Sequence, residues 1–144
     1  MGGLTGDELL RLPVRLHGIQ LGTPTDVILD LDAERAIGLE VRCGDDVHRF
    51  LPLATANLGP GEIAVHSALI LLEEPELAFY RERGTTLRSL RGLAVDRAGV
   101  RVGRCTDVVL GDGGAIEALL VDDGSGASRV PLGDGVTIGS DAAA

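Results

Sequence analysis

The 144-residue chain contains no lysine and no tryptophan, and its only aromatic side chains are Phe50, Phe79 and Tyr80. So few rings offer little on which nucleic-acid bases could stack. Cysteine is also scarce. Cys43 and Cys105 lie far apart and match no C-x-x-C or Cys/His zinc spacing. Two free thiols in a reducing cytosol are the expectation, with no metal and no cofactor. The longest apolar runs, such as Ala68–Leu72 and Ala118–Val121, are too short for a bilayer-spanning helix. The opening MGGLTGDELLRL has neither the basic segment nor the long apolar segment of a secretion signal. A cytoplasmic chain with no membrane span follows as the expectation.

Positive charge is in the minority, with 13 basic residues, all arginine, against 22 acidic ones, a net −9. An acidic surface repels phosphate backbones and anionic lipid at long range, which disfavours direct nucleic-acid binding. The absence of lysine beside 21 glycines has the codon signature of a GC-rich, bacterial coding sequence. An apolar fraction of 44% excludes a disordered polyelectrolyte.

What the sequence does contain is a repeat. Thr5–Asp30 and Thr86–Gly111 align without a gap at a constant offset of 81, and ten of the 26 positions are identical. Chance would supply roughly two. The identities are Thr5/Thr86, Leu9/Leu90, Leu12/Leu93, Val14/Val95, Gly18/Gly99, Gly22/Gly103, Thr25/Thr106, Asp26/Asp107, Val27/Val108 and Leu29/Leu110. Past short indels the match resumes at Leu39/Leu119, Val41/Val121, Arg49/Arg129, Pro52/Pro131 and Leu53/Leu132. The chain is a tandem duplication with units at 5–72 and 85–140, joined by 73–84.

Each unit reads as all-β. PVRLHG and LAVDRAG are short strands running into glycine turns, and LGTPTDVILD and VGRCTDVVLG are long β-branched strands. A period of two would place Thr25, Val27 and Leu29 on one face and Asp26, Ile28 and Asp30 on the other. AIGLEV and AIEALLV, then VHRFLPL and ASRVPL, then EIAVHS and GVTIGS supply the remaining strands. Five or six short strands spaced by turns predict a small β-barrel, which leaves no open edge. GDGG at Gly111–Gly114 reads as a hairpin turn and not as a phosphate loop, having no lysine and no following helix.

EEPELAFYRERG between the units predicts a short linker helix, acidic at its start with Pro75, basic at its end, and closed by Gly84 at C′. Leu77 and Tyr80 form its narrow apolar stripe, suited to packing the units together or to receiving a partner. Thr5-x-x-Glu8 predicts a capped turn of helix before the first strand.

The second unit carries L-x-G-x-x-V-x-x-x-G-x-x-[LV]-G-x-x-x-D-[VI] as Leu90, Gly92, Val95, Gly99, Val102, Gly103, Asp107 and Val108. Val130-Pro131-Leu132 and Val136-Thr137-Ile138-Gly139 follow. This pattern resembles the PRC-barrel family, which includes the cytoplasmic part of the photosynthetic reaction-centre H subunit and the C-terminal domain of the ribosome maturation factor. The first unit is similar but diverged, with Leu12 near the place of the early glycine and a longer loop, ATANLGPGE, before its last strand. The resemblance implies two tandem PRC-type barrels. It also implies a non-catalytic scaffold or protein-interaction adaptor whose partner is another protein or assembly, with self-association open. Neither the membrane helix of the reaction-centre subunit nor the N-terminal barrel of the maturation factor is recognisable here. The pattern is built of glycines and apolar positions, so it speaks for a fold and not for an activity.

Candidate site residues are few, and no catalytic or metal constellation stands out. Asp26 and Asp107 are a repeated acidic pair, suited either to carboxylate chemistry across the two units or to bonding nearby backbone amides. His17, His48 and His66 read as a turn residue and two strand residues without recognisable partners. Arg88, Arg91, Arg97, Arg101 and Arg104 fall within 17 residues, opposed only by Asp96. They form a candidate interaction face for an acidic partner or phosphate. The same face carries the alternative function, an RNA- or ribosome-associated maturation factor. It could equally pair with the acidic first unit or be solvated. Ile28 and Val109 are the candidate inter-barrel contacts, apolar residues on the polar face of the repeated strand.

Overall fold

A computed structural model describes residues 3–133 and 135–139. In chain order the elements are β1 (Leu4–Thr5), α1 (Gly6–Leu10), β2 (Val14–Leu16), β3 (Ile19–Asp30), β4 (Arg35–Cys43), β5 (His48–Pro52), β6 (Asn57–Gly59) and β7 (Glu62–Val65). After them come α2 (Glu74–Arg83), β8 (Thr85–Thr86), α3 (Leu87–Leu90), β9 (Ala94–Arg97), β10 (Val100–Leu110), β11 (Ile116–Asp122), β12 (Ala127–Val130) and β13 (Val136–Gly139). The chain is mostly β and forms two sheets.

The first sheet runs β5-β4-β3-β2-β7-β6 with β8 also on β3, and the second runs β12-β11-β10-β9-β13 with β1 also on β10. Among the described residues no ladder joins the two ends of either sheet, so neither sheet closes by hydrogen bonding as the strand count had suggested. The sheets also cut across the sequence units. β1 pairs with β10 through Leu4/Leu110 and Thr5/Val109, while β8 pairs with β3 through Leu29/Thr85 and Ile28/Thr86. Each long strand is covered along part of one edge by its own unit's short strand, β2 or β9. Further along that edge, where amides and carbonyls would otherwise be open, Leu4–Thr5 and Thr85–Thr86 at the start of the other unit each pair with two residues.

The hairpins β2–β3 and β9–β10 turn through His17-Gly18 and Ala98-Gly99. Both residues of each turn have positive φ (50° and 81°, 52° and 81°), as a two-residue hairpin of this hand requires. Register shifts occur at matching places in the two long strands, between Pro24 and Asp26 and between Cys105 and Asp107. These bulges break the simple alternation. Asp26, Val27, Ile28 and Leu29 are all buried in succession, as are Asp107 to Leu110, because one face meets the core and the other is covered as well.

Duplication is imperfect at the last strand. β7 lies parallel to β2, whereas β13 lies antiparallel to β9. The longer loop of the first unit supplies β6, which pairs outside β7. The ladders also correct one sequence equivalence. Arg49 faces Val41, but Arg129 faces Leu120 and Ser128 faces Val121, so Arg129 takes the place of Phe50 and not of Arg49.

One continuous core serves both units, including Leu9, Val27, Leu39 and Leu51 from the first and Leu87, Leu90, Val108 and Leu119 from the second. A smaller cluster of Ile28, Phe50 and Leu77 lies under α2, with Tyr80 stacked on Phe50 at 4.4 Å between ring centres. The linker helix thus covers the first sheet. Its acidic first turn and basic last turn are as the sequence predicts, with Pro75 near the start. Gly84 follows it with φ −101°, outside the left-handed region. What excludes a side chain there is crowding, since a Cβ would sit 2.8 Å from the Leu29 carbonyl oxygen. Among the described residues the second unit has no such helix over its sheet. The place of Phe50 is held there by Arg129, which lies 3.8 Å from Glu117 and is half-exposed.

Candidate functional site

The repeated aspartates lie at the seam between the units. Thr5 caps α1 by accepting from the Glu8 amide at 3.1 Å, and Glu8 accepts in return from the Thr5 amide at 3.0 Å, the predicted capping box. The next free amide of that helix, Asp7, donates across the seam to Asp107 Oδ2 at 3.0 Å. The arrangement recurs at the same offset. Thr86 accepts from the Ser89 amide at 3.1 Å, and the Arg88 amide donates to Asp26 Oδ1 at 3.1 Å. Each aspartate also accepts from the amide that follows it, Val27 at 2.9 Å and Val108 at 2.7 Å. Each short helix is therefore capped half by its own threonine and half by the other unit's aspartate. Each aspartate thus joins one helix amide of the other unit to one strand amide of its own, and in this way the pair ties the two units together. The turns meet across the same seam, where Arg35 Nη2 donates to the Gly113 carbonyl and the Ile116 amide to the Glu34 carbonyl. GDGG is a tight turn joining β10 to β11, as its sequence suggested.

Ile28 and Val109 are both buried, under different covers. Ile28 belongs to the cluster beneath α2, and Val109 lies outside that cluster, between Ala118 of β11 and Thr5 of β1.

The structure separates the five arginines. Arg91, Arg101 and Arg104 line one groove of about 710 Å³ with Gly92, Gly103, Cys105, Thr106, Asp122, Asp123 and Gly124. Arg88 lines a different one, beneath α2, and Arg97 is exposed on β9 outside both. Arg101 and Arg104 are three apart and would leave opposite faces of a regular strand. A register shift between Arg101 and Gly103 rephases the strand, and both side chains reach the same groove. Arg101 Nε donates to Asp96 at 2.6 Å, Arg104 Nη1 donates to the Gly92 carbonyl at 2.8 Å, and Arg91 lies 4.0 Å from Asp107. Cys105 at the groove floor is fully buried, and desolvation pushes its thiol up to about 11, so it stays protonated at neutral pH.

A second polar cluster sits beneath α2 and was not anticipated from the sequence. Glu40 accepts from Thr25 Oγ1 at 3.0 Å, contacts His48 Nδ1 at 2.7 Å and pairs with Arg81 of the helix. Burial pushes its carboxyl up, but the hydrogen bonds from Arg81, Thr25 and His48 outweigh this and hold it below the ordinary glutamate value. Contact between positions 40, 48 and 81 has no local sequence signature. His17 lies in the β2–β3 turn, and His66 is exposed one residue beyond β7 and not inside a strand. Among the described residues no three or more His, Cys, Asp or Glu side chains gather as metal ligands. No helix among them is long and apolar enough to cross a membrane.

No family model matches the chain. It is similar to a UDP-N-acetylmuramate–L-alanine ligase of Kineococcus radiotolerans, 33% identical over 107 residues. The match takes in 71% of this chain but only 21% of the ligase, so the chain spans about a fifth of that relative's length. So partial a match carries no activity from that ligase to this chain.

Proposed function

We propose that this chain is a non-catalytic adaptor, built from two PRC-barrel-like units, that binds another protein or assembly in the cytoplasm. One observation carries the reading. The side chains kept at the closest-matching stretch of the repeat, Thr5/Thr86 and Asp26/Asp107, are spent on joining the units through reciprocal helix caps. A duplication retained for assembly suits a rigid platform with two related faces, in effect a dimer within one polypeptide. The rival reading, an RNA- or ribosome-associated factor, would use the groove at Arg91, Arg101 and Arg104.

The test is affinity capture on the immobilised full chain, at low and high salt, with and without RNase. An adaptor retains a discrete protein in high salt regardless of RNase. Ribosomal proteins that bind only at low salt and vanish on RNase treatment would overturn the reading, since phosphate contacts are steeply salt-dependent.

A further inference from the structure

Helix α2 lies on a face that the main core does not include. Ile28, Phe50 and Leu77 form a cluster of their own, with Ile37, Leu72 and Tyr80 at its margin, and none of them belongs to the continuous core shared by the two units. The helix meets this face with Leu77, Tyr80 and Arg81, spaced i, i+3 and i+4 and so on one side. Leu77 is buried in the cluster and Tyr80 stacks on Phe50. Arg81 pairs with Glu40 in the groove that Asp26, His48, Glu74 and Arg88 also line. Phe79 stands outside the cluster, half-exposed, with Arg83 over its ring at 4.6 Å.

The chain on either side of α2 is pinned without its help. Leu72 and Phe50 exchange both backbone hydrogen bonds, at 2.8 and 2.9 Å, and Thr85 pairs with Leu29. Unwound, residues 73–84 would reach about 40 Å, against about 15 Å for the helix, so α2 can leave the sheet with both anchors in place. A helix of ten residues holds its shape chiefly through what it packs on. Its two ion pairs each keep one end in solvent, Arg81 towards Glu40 and Glu73 towards Arg49 at 3.7 Å. Opening α2 therefore sacrifices one satellite cluster and leaves the shared core whole.

Resting on the adaptor reading, we propose that α2 is a displaceable strap, covering a docking face of Ile28, Ile37 and Phe50 until a helix of the partner protein takes its place. What the occupant replaces specifies its chemistry. It presents an aliphatic residue to the cluster, an aromatic residue three positions on to stack on Phe50, and an arginine beside that for Glu40. Fit selects it, not net charge. Glu40 has a side chain only 12% exposed and calls for a cationic donor whichever helix is seated. Because the face is free only while α2 is open, the open fraction scales the partner's affinity, and this is how the strap regulates docking.

The probe is a fluorescein-labelled peptide of residues 73–84, EEPELAFYRERG, titrated against the full chain. R81Q removes the strap's charged contact and leaves the face itself untouched. It should bind the peptide about tenfold more tightly than the parent, whose own α2 competes at high local concentration. L77A/Y80A/R81Q should bind it most tightly, one to one. A peptide carrying L77A/Y80A should not bind, whereas one carrying F79A should bind as the unaltered peptide does. A circular dichroism melt checks each variant, and R81Q alone carries the test if the triple variant does not fold. No saturable binding to R81Q, equal binding to R81Q and the parent, or equal binding of the L77A/Y80A peptide would each overturn the proposal. Elution of R81Q as a dimer on gel filtration would assign the face to the α2 of a second copy and overturn the partner helix. Capture of a salt-resistant protein partner equally by R81Q and the parent would leave the adaptor reading standing and remove only the strap.

Discussion

The seam aspartates differ in a way that makes the cross-cap account testable. Asp107 uses both oxygens, Oδ1 for the Val108 amide and Oδ2 for the Asp7 amide. Asp26 serves both of its donors, Val27 and Arg88, with Oδ1. An asparagine has one accepting oxygen. At position 26 it can keep both bonds, but at 107 its NH₂ must face one of two amides, the buried one of Val108 or the part-buried one of Asp7. Leaving one such donor unsatisfied costs about 1–3 kcal/mol. D107N should therefore destabilise by that amount and D26N by about 1 kcal/mol or less, whereas alanine at either site should cost about 2–4 kcal/mol. With a urea m-value of about 2 kcal/mol/M, D107N would move the unfolding midpoint down by roughly 1 M at unchanged slope. Equal midpoints for D107N and D26N, or a D107A loss below about 0.5 kcal/mol, would refute the reciprocal-cap reasoning.

Three further outcomes follow from the same geometry. A protease site inserted at Leu69, which is 90% exposed between β7 and α2, should be cut cleanly, yet the halves should co-elute on native gel filtration, because β1–β10 and β8–β3 still pair; separate elution would contradict the strand exchange. Gly114 has φ +83°, and a Cβ there would lie 2.7 Å from Leu53 of the first unit, so G114A should lower stability by about 1–3 kcal/mol in urea unfolding. Glu40 titrates below the ordinary glutamate value, so its contribution is complete above about pH 4.5 and is lost as pH falls through its folded value. E40Q should accordingly melt lower than the parent at pH 7, with the gap closing on acidification towards pH 3; a gap that persists at pH 3 would mean that ionisation of Glu40 is not what holds Arg81 and α2.

Much of this was legible in the chain itself. The offset of 81 declared the duplication, the β-branched runs marked β3 and β10, Thr5-x-x-Glu8 marked α1, and the charge order of EEPELAFYRER marked α2. These are local signals, written within a few residues of where they act. The candidate site was partly legible: the arginine cluster stood out, but which three arginines share a groove depended on a bulge at Arg101–Gly103 that periodicity does not report. Likewise the identities Thr5/Thr86 and Asp26/Asp107 were visible while their purpose was not. Sequence spacing cannot say that Asp107 reaches an amide 100 positions away. Sequence by itself determined two β-rich units, their turns and the helix between them, because propensity and hydrogen-bond capping are short-range. Only the tertiary structure decided that the units trade their first strands, share one core and leave their sheets without a closing ladder among the described residues. Those outcomes depend on which open edge the other unit's strand can reach and fill.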